Sequence, residues 1–273
     1  MGSIEMIDSH CHIHEASKPN KNNATGKLWL KAKDLDPDAI INRAVDVGVT
    51  RMICIGTTLE DSQQAVEFVA TRPQCWASIG LHPHEAKDYV GNKQALAEFA
   101  ALAGKPKVVA VGECGLDYFY NHSSKKDQEE ILRFQIELAL KHNLPMSFHV
   151  REAFDDFWPI FDSYKNVRGV IHSFTAGQDV LNQILKRGLY VGLNGIVTFT
   201  KNERQLAAAK ALPLSNLLLE TDAPFLTPEP FRGTICEPRH TRTTAEFLAK
   251  LRGETLREIA LAASDNATTL FRL

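Results

Sequence analysis

The chain has 273 residues, of which 44% are hydrophobic and 23% charged, with a net charge of −2. A (β/α)8 barrel takes about 250 residues, so one large α/β domain fits this length, and the near-neutral balance excludes a general polyanion-binding protein. No apolar run approaches the roughly 20 residues of a membrane span and no signal segment opens the chain, so a cytoplasmic protein without membrane contact is expected.

In chain order, short apolar runs predict strands at 5–8, 51–55, 75–79, 108–112, 145–149, 169–172, 190–193 and 216–220. Helical periodicity fills most of the intervals, as in Ile131, Phe134 and Leu138 or Val180, Ile184 and Arg187. Strands alternating with helices predict parallel βα units, and eight such units predict a closed TIM-like barrel. The alternative is a doubly wound open sheet. It would place its site at one switch point instead of drawing residues from several strand ends. After the eighth run comes a proline-containing loop over 223–238. Two further helices, near 241–251 and 255–270, would close the barrel. One domain over 1–273 is expected, with no internal repeat.

Between 15 and 36 lie Lys18, Lys21, Lys27, Lys31 and Lys33, in a segment read as a loop. It is either a solvated lysine-rich loop or a cationic lip that attracts a phosphate backbone. The five cysteines, Cys11, Cys54, Cys75, Cys114 and Cys236, are odd in number and form no C-x-x-C pair. They read as reduced, mostly buried thiols.

The chemistry-bearing residues stand where strands end. His10 and His12 follow the first run two apart, so they share a side, and in a barrel that side faces the pocket. Glu113, His149, His172 and Asp222 each lie at or just beyond the end of a later apolar run. A carboxylate after 108–112 would be costly to bury unless paired or metal-bound, and its two oxygens can bridge two cations. Singly, a strand-end histidine is more often structural and a strand-end aspartate is often a helix cap. Together, four imidazoles and two carboxylates suffice for two divalent ions with positions left for water and substrate. Asp8, one turn of the pleat below His10, is expected to hold a histidine by its second ring nitrogen.

Six stretches carry a resemblance that spans nearly the whole chain: Ile7-Asp8-Ser9-His10-Cys11-His12, Gly80-Leu81-His82-Pro83-His84, Val111-Gly112-Glu113-Cys114-Gly115-Leu116-Asp117-Tyr118, Leu144 through Ala153, Gly169-Val170-Ile171-His172-Ser173-Phe174, and Leu217 through Pro224. In this order they resemble the TatD family of metal-dependent deoxyribonucleases, within the amidohydrolase-like superfamily. The resemblance implies a TIM-like barrel, two divalent ions and hydrolysis of DNA phosphodiesters. It assigns His10, His12 and Asp222 to one ion and His149 and His172 to the other, with Glu113 between them. Three positions depart from the family pattern: His14 stands for the usual Asp, Cys114 for Ile or Thr, and Cys236 for a frequent Asn.

The expected mechanism is two-metal activation of water, with Glu113 and Asp222 as catalytic groups and Asp222 able to accept the water's proton. The expected substrate is single-stranded or end-frayed DNA, shortened from 3′ to 5′ by a monomer. His82, His84 and Arg151 are the expected substrate contacts, the histidines as protonated imidazoles on phosphate and Arg151 as a fork. Tyr118 is a candidate for stacking on a base. Arg232 and Arg239 are weaker phosphate candidates, and Glu220 is expected to support a ligand. Histidine-rich donors suit zinc, manganese, iron or nickel, and magnesium can act through its waters. The alternative is a metal-dependent ester or amide hydrolase, for example an aminoacyl-RNA deacylase. No lysine stands at the fourth strand end to bridge metals, which favours the carboxylate-bridged reading. A protein that uses metal only structurally would present a closed site, commonly of four ligands.

Overall fold

The eight apolar runs become parallel strands because each is flanked by a helix long enough to return the chain to the same sheet edge. They are β1 (Met6–Cys11), β2 (Val49–Ile55), β3 (Cys75–Ile79), β4 (Val108–Asp117), β5 (Met146–Arg151), β6 (Gly169–Ile171), β7 (Tyr190–Leu193) and β8 (Leu217–Leu219). In this computed structural model, which describes residues 4–33, 35–120 and 122–273, they form one sheet in the order β1 to β8. The result is a nearly closed barrel with helices around it, as expected. The helices are α1 (Ala24–Trp29), α2 (Pro37–Asp46), α3 (Leu59–Ala70), α4 (Lys93–Leu102), α5 (Lys125–His142), α6 (Phe154–Asp162), α7 (Gln178–Lys186), α8 (Ile196–Phe199), α9 (Glu203–Ala211), α10 (Thr241–Arg252) and α11 (Leu256–Phe271). Among the described residues no helix is long and apolar enough to cross a membrane.

The chain divides into two compact units. The first comprises Met1–Cys54 and Ser173–Leu273. Within it β1 pairs with β2 and β7 with β8. Past the end of β8 the chain stays paired with β1 and its exit: the Asp222 amide donates to the His10 carbonyl and the His12 amide to the Ala223 carbonyl, each at 2.8 Å. α11 covers these strands with Ile259, Ala263, Ala267 and Leu270, an i, i+4, i+8, i+11 stripe buried on one face. Its start is set by a capping box in which Thr255 and Glu258 each satisfy the other's backbone amide. The lysine-rich segment is not a plain loop. A 3-10 turn (Ile13–Ser17) and α1 interrupt it, because the Trp29 indole is buried and donates to the His12 carbonyl at 3.0 Å. All five lysines are exposed, as either reading of the segment requires.

The second unit, Ile55–His172, holds β3 to β6. On one side of β5, Phe148 meets Phe157 and Phe161 of α6 with ring centroids at 5.2 and 5.8 Å. α5 packs on β4 through Ile131, Leu132, Ile136, Leu138 and Ala139, and among these it also buries Gln128 and Gln135. It ends where Asn143 takes the left-handed conformation.

β4 runs five residues past the predicted end at 112. Glycine and glutamate are poor strand residues, which is why the pattern stops there. Pairing with β5 overrides propensity: Gly115 lies opposite His149 and Asp117 opposite Arg151. Gly115 has φ 151°, and a Cβ there would overlap the His149 carbonyl oxygen, so only glycine lets the strands approach. Glu113 is therefore inside a strand, not at its end.

Candidate metal centre

In the first unit, β1 delivers His10, and His12 follows one residue beyond the strand. The Asp222 carboxylate, on a residue with φ 62° just after β8, comes between them. Its Oδ1 lies 3.7 Å from His10 Nε2 and 3.3 Å from His12 Nε2. The ligand atoms of the three residues all lie within 4.8 Å of one another. The histidines are buried, at 1% and 4% exposure, whereas Asp222 at 17% is the member that water reaches.

Asp8 does not hold a histidine ring. Its carboxylate accepts the amides of His10 and Thr221 and, at 2.6 Å, the Thr221 hydroxyl. Its position explains the difference: it is wholly buried at the level of Thr221, below the imidazoles. It thus ties the β8 exit, and with it Asp222, to β1. Burial pushes this carboxyl up to about 8 despite those hydrogen bonds. Glu220 is also buried. Its Oε1 accepts the Ser173 amide at 2.7 Å and the Asn194 side-chain amide at 3.3 Å. Ser173 directly follows His172, so Glu220 holds the backbone next to that ligand candidate.

In the second unit, Glu113 Oε1 gathers three imidazoles. His149 Nδ1 is at 2.7 Å, His82 Nε2 at 3.5 Å and His172 Nε2 at 3.6 Å. Ligand atoms of His82, Glu113 and His149 fall within 4.8 Å of one another. His82, expected on the substrate, therefore stands as near to Glu113 as His172 does. Burial is the main influence on His82 and lowers it to about 4 against the opposing pull of Glu113, so it is neutral near pH 7. It then offers a lone pair, not the positive charge expected for a phosphate contact.

Asp117 is the residue that sequence reasoning undervalued. Its Oδ2 lies 3.0 Å from both His149 Nε2 and His84 Nε2, while Oδ1 accepts the amides of Phe119 and Tyr120. Burial alone would raise this carboxyl, but hydrogen bonds from His149, His84 and Tyr120 outweigh it and hold the group well below the usual carboxylate range. Burial likewise disfavours the charged His149, yet hydrogen bonds to Asp117 and Glu113 prevail and raise it to about 9. A histidine gripped by carboxylates at both nitrogens marks a cluster with an excess of negative charge. A divalent ion would satisfy that demand, with Asp117 orienting the ring from behind. His84 is thereby committed to Asp117. The available signal was parity: 113, 115 and 117 share one face of β4.

Two glutamines of α5, seven apart and so on one face, complete the support. Gln128 Oε1 accepts the Asp117 amide at 2.8 Å and its Nε2 donates to the Asp117 carbonyl at 3.1 Å. Gln135 makes the same pair with Leu81, at 2.8 and 2.9 Å. Each side chain continues a strand's hydrogen bonding past its exit, fixing the backbone that carries Asp117 and His82.

Arg151 is exposed and lies on the rings of Phe119 and Tyr120. Lys125 lies over one face of the Tyr118 ring at 3.8 Å, and Tyr118 is only half-exposed, unlike its neighbours Phe119 and Tyr120. Arg232 donates to the Thr227 carbonyl and Arg239 pairs with Glu237, so both serve the loop after β8. All five cysteines are free and buried, and Cys11 and Cys114 point their sulfurs at backbone carbonyls, not at the clusters.

A model of the family described as TatD related DNase matches residues 7–272. The uncharacterized metal-dependent hydrolase YabD of Bacillus subtilis (strain 168) is 37% identical over 270 residues, which cover 98% of this chain and 99% of that one. The 3'-5' ssDNA/RNA exonuclease TatD of Pantoea vagans (strain C9-1) is 38% identical over 249 residues, 87% of this chain and 94% of its own. Among solved structures, the TatD homolog YJJV of Escherichia coli K12 aligns over all of both chains with a TM-score of 0.86 and 27% identity. The phosphotriesterase homology protein of Escherichia coli, at TM-score 0.68 and 16% identity over 99% of this chain, shares the fold.

Proposed function

The chain belongs to the TatD related DNase family, and from that premise we propose that it is a metal-dependent 3′–5′ exonuclease acting on single-stranded or end-frayed DNA. The observation that carries this reading is the pair of histidine–carboxylate clusters, each with donors inside 4.8 Å. Both donor sets fit divalent cations: imidazole nitrogens with a carboxylate oxygen, buried on one side and reached by water on the other.

In this reading His10, His12 and Asp222 hold one ion. His149 and His172 hold the second, with Glu113 shared, and His82 stands ready as a further donor to it. Bound ions would supply Lewis acidity toward the phosphate and lower the pKa of water. The rest is done by the chain itself. Asp222, the partly exposed carboxylate, accepts the proton of the attacking water. Asp117 keeps the His149 ring turned toward Glu113, and Asp8 keeps Asp222 in register with β1. Arg151 meets the phosphate backbone. Zinc, manganese, nickel or magnesium suits the donors. The protein acts as a monomer in which 1–273 is one domain. Five free buried thiols support a reducing, cytoplasmic setting.

The test uses end-labelled single-stranded and duplex DNA with metal-stripped protein, restoring manganese, magnesium or zinc one at a time. Glu113→Ala and the double variant His149→Ala/His172→Ala run beside it. Metal-restored stepwise shortening from the 3′ end, lost in both variants together with metal binding, is expected. Metal binding without cleavage of any nucleic acid would overturn the reading in favour of an aminoacyl-RNA ester or an amide. Near-normal activity of Glu113→Ala would overturn the shared-ligand role.

A further inference from the structure

Just past β4, the chain exposes two aromatic rings that the hydrolytic site does not require. Phe119 and Tyr120 are 49% and 44% exposed, edge to face at 4.7 Å. The Arg151 guanidinium lies 3.9 Å from the Phe119 centroid and 4.9 Å from that of Tyr120. His122 stacks on Tyr120 at 5.8 Å and 23°. Among the described residues Arg151 makes no ion pair, so its outward N–H groups remain for an anion.

The backbone that carries the two rings is anchored. Asp117 Oδ1 accepts the Phe119 and Tyr120 amides at 2.9 and 3.0 Å, and the Tyr118 amide donates to the Arg151 carbonyl at 3.0 Å. The other oxygen of the same carboxylate holds His149 and His84. One buried side chain thus fastens the aromatic turn to the imidazoles around Glu113. Arg151 itself is two residues after His149, about 7 Å along β5.

Solvent-facing rings on an anchored backbone beside an arginine match a ligand with flat π faces and phosphate in the same molecule. A nucleobase stacks on an aromatic face irrespective of its identity, and a base in a duplex is unavailable for it. We propose that Phe119, Tyr120 and Arg151 form a stacking platform for an unpaired base next to the phosphodiester that is cut. The inference rests on the nuclease reading and deepens it: the platform makes unpaired strands the preferred substrate, with Arg151 on the adjoining phosphate.

The decisive measurement is equilibrium binding of 2-aminopurine-labelled single-stranded DNA and RNA of one sequence to wild-type protein in chelator. It is set beside KM and kcat with metal restored. The variants are Phe119→Ala/Tyr120→Ala and, as an aromatic-preserving control, Tyr120→Phe. Because both rings are exposed, the alanine variant is expected to fold. Its Kd and KM should rise roughly tenfold or more, with kcat changed far less, and Tyr120→Phe should behave as wild type. An oligonucleotide with abasic residues at its 3′ end should bind wild type and the alanine variant alike. The DNA and RNA arms show which strand the platform takes.

Unchanged Kd and KM in the alanine variant, with wild-type cleavage intact, would overturn the platform and leave the nuclease reading standing. An equal penalty on abasic and base-bearing strands would also overturn it. Wild type that neither binds nor cleaves either strand would overturn both.

Discussion

Gln135→Leu isolates the contribution of a side chain that touches no substrate. It removes the acceptor of the Leu81 amide and the donor to the Leu81 carbonyl, both buried. A buried backbone group left without its partner costs about 1–3 kcal/mol, so the pair costs roughly 2–6. A buried leucine of similar volume returns about 1.5–3 kcal/mol of apolar transfer. The net expectation is a loss of about 2 kcal/mol, or roughly 4 °C in Tm for a chain of this size. Urea and thermal unfolding followed by circular dichroism measure it. Gln135→Glu is the companion. Its protonated carboxyl can still donate to the Leu81 carbonyl, whereas the ionised form cannot. Its folded-state pKa is therefore raised, and the variant should approach wild type at low pH. Above about pH 4.3 the unfolded chain ionises first, and stability falls by about 1.4 kcal/mol per pH unit until the folded pKa is passed. A Gln135→Leu protein as stable as wild type, or a Gln135→Glu deficit that does not change with pH, would refute the reasoning.

Two other perturbations have a definite sign. His240 accepts the Glu237 amide at Nδ1, and burial, with Arg239 nearby, lowers it from 6.5 to about 4. Its neutral form is favoured by folding, so its contribution is complete above pH 6.5 and lost as pH falls toward 4. The stability difference between wild type and His240→Gln should shift by about 3 kcal/mol over that window, against wild type, and then level off. A difference that stays flat from pH 7 to 4 would show that His240 takes up its proton as readily in the fold as in the unfolded chain. Gly115→Ala forces a Cβ onto the His149 carbonyl at a φ unfavourable to L residues. A destabilisation of about 2–4 kcal/mol is expected, with weakened metal binding at the Glu113–His149 cluster. A thermal midpoint and a metal titration both equal to wild type would contradict the close approach of β4 and β5.

The chain's periodicities were enough to place most strands within a few residues, since alternation of apolar runs with helical stripes is a local property. His10 and His12 were legible as a pair because two residues apart on an extended chain means one side. Glu113, His149, His172 and Asp222 could be nominated because a polar group ending an apolar run stands out without any knowledge of its neighbours. Tertiary structure decided what each of them touches. β4 continues through Gly112 and Glu113 only because β5 pairs with it, so local propensity misplaced its end. The carboxylate of Asp8 goes to Thr221, 213 residues away, a distance that no spacing rule spans. His82 and His84 look equivalent in sequence, yet one faces Glu113 and the other Asp117, and burial leaves His82 uncharged. Gln128 and Gln135 read as polar residues on a helix face and prove to be the braces of two strand exits. Sequence alone determined which chemistry the chain can bring to strand ends. Burial and long-range hydrogen bonding, which depend on residues far apart in the chain, decided the partners and charge states of those groups.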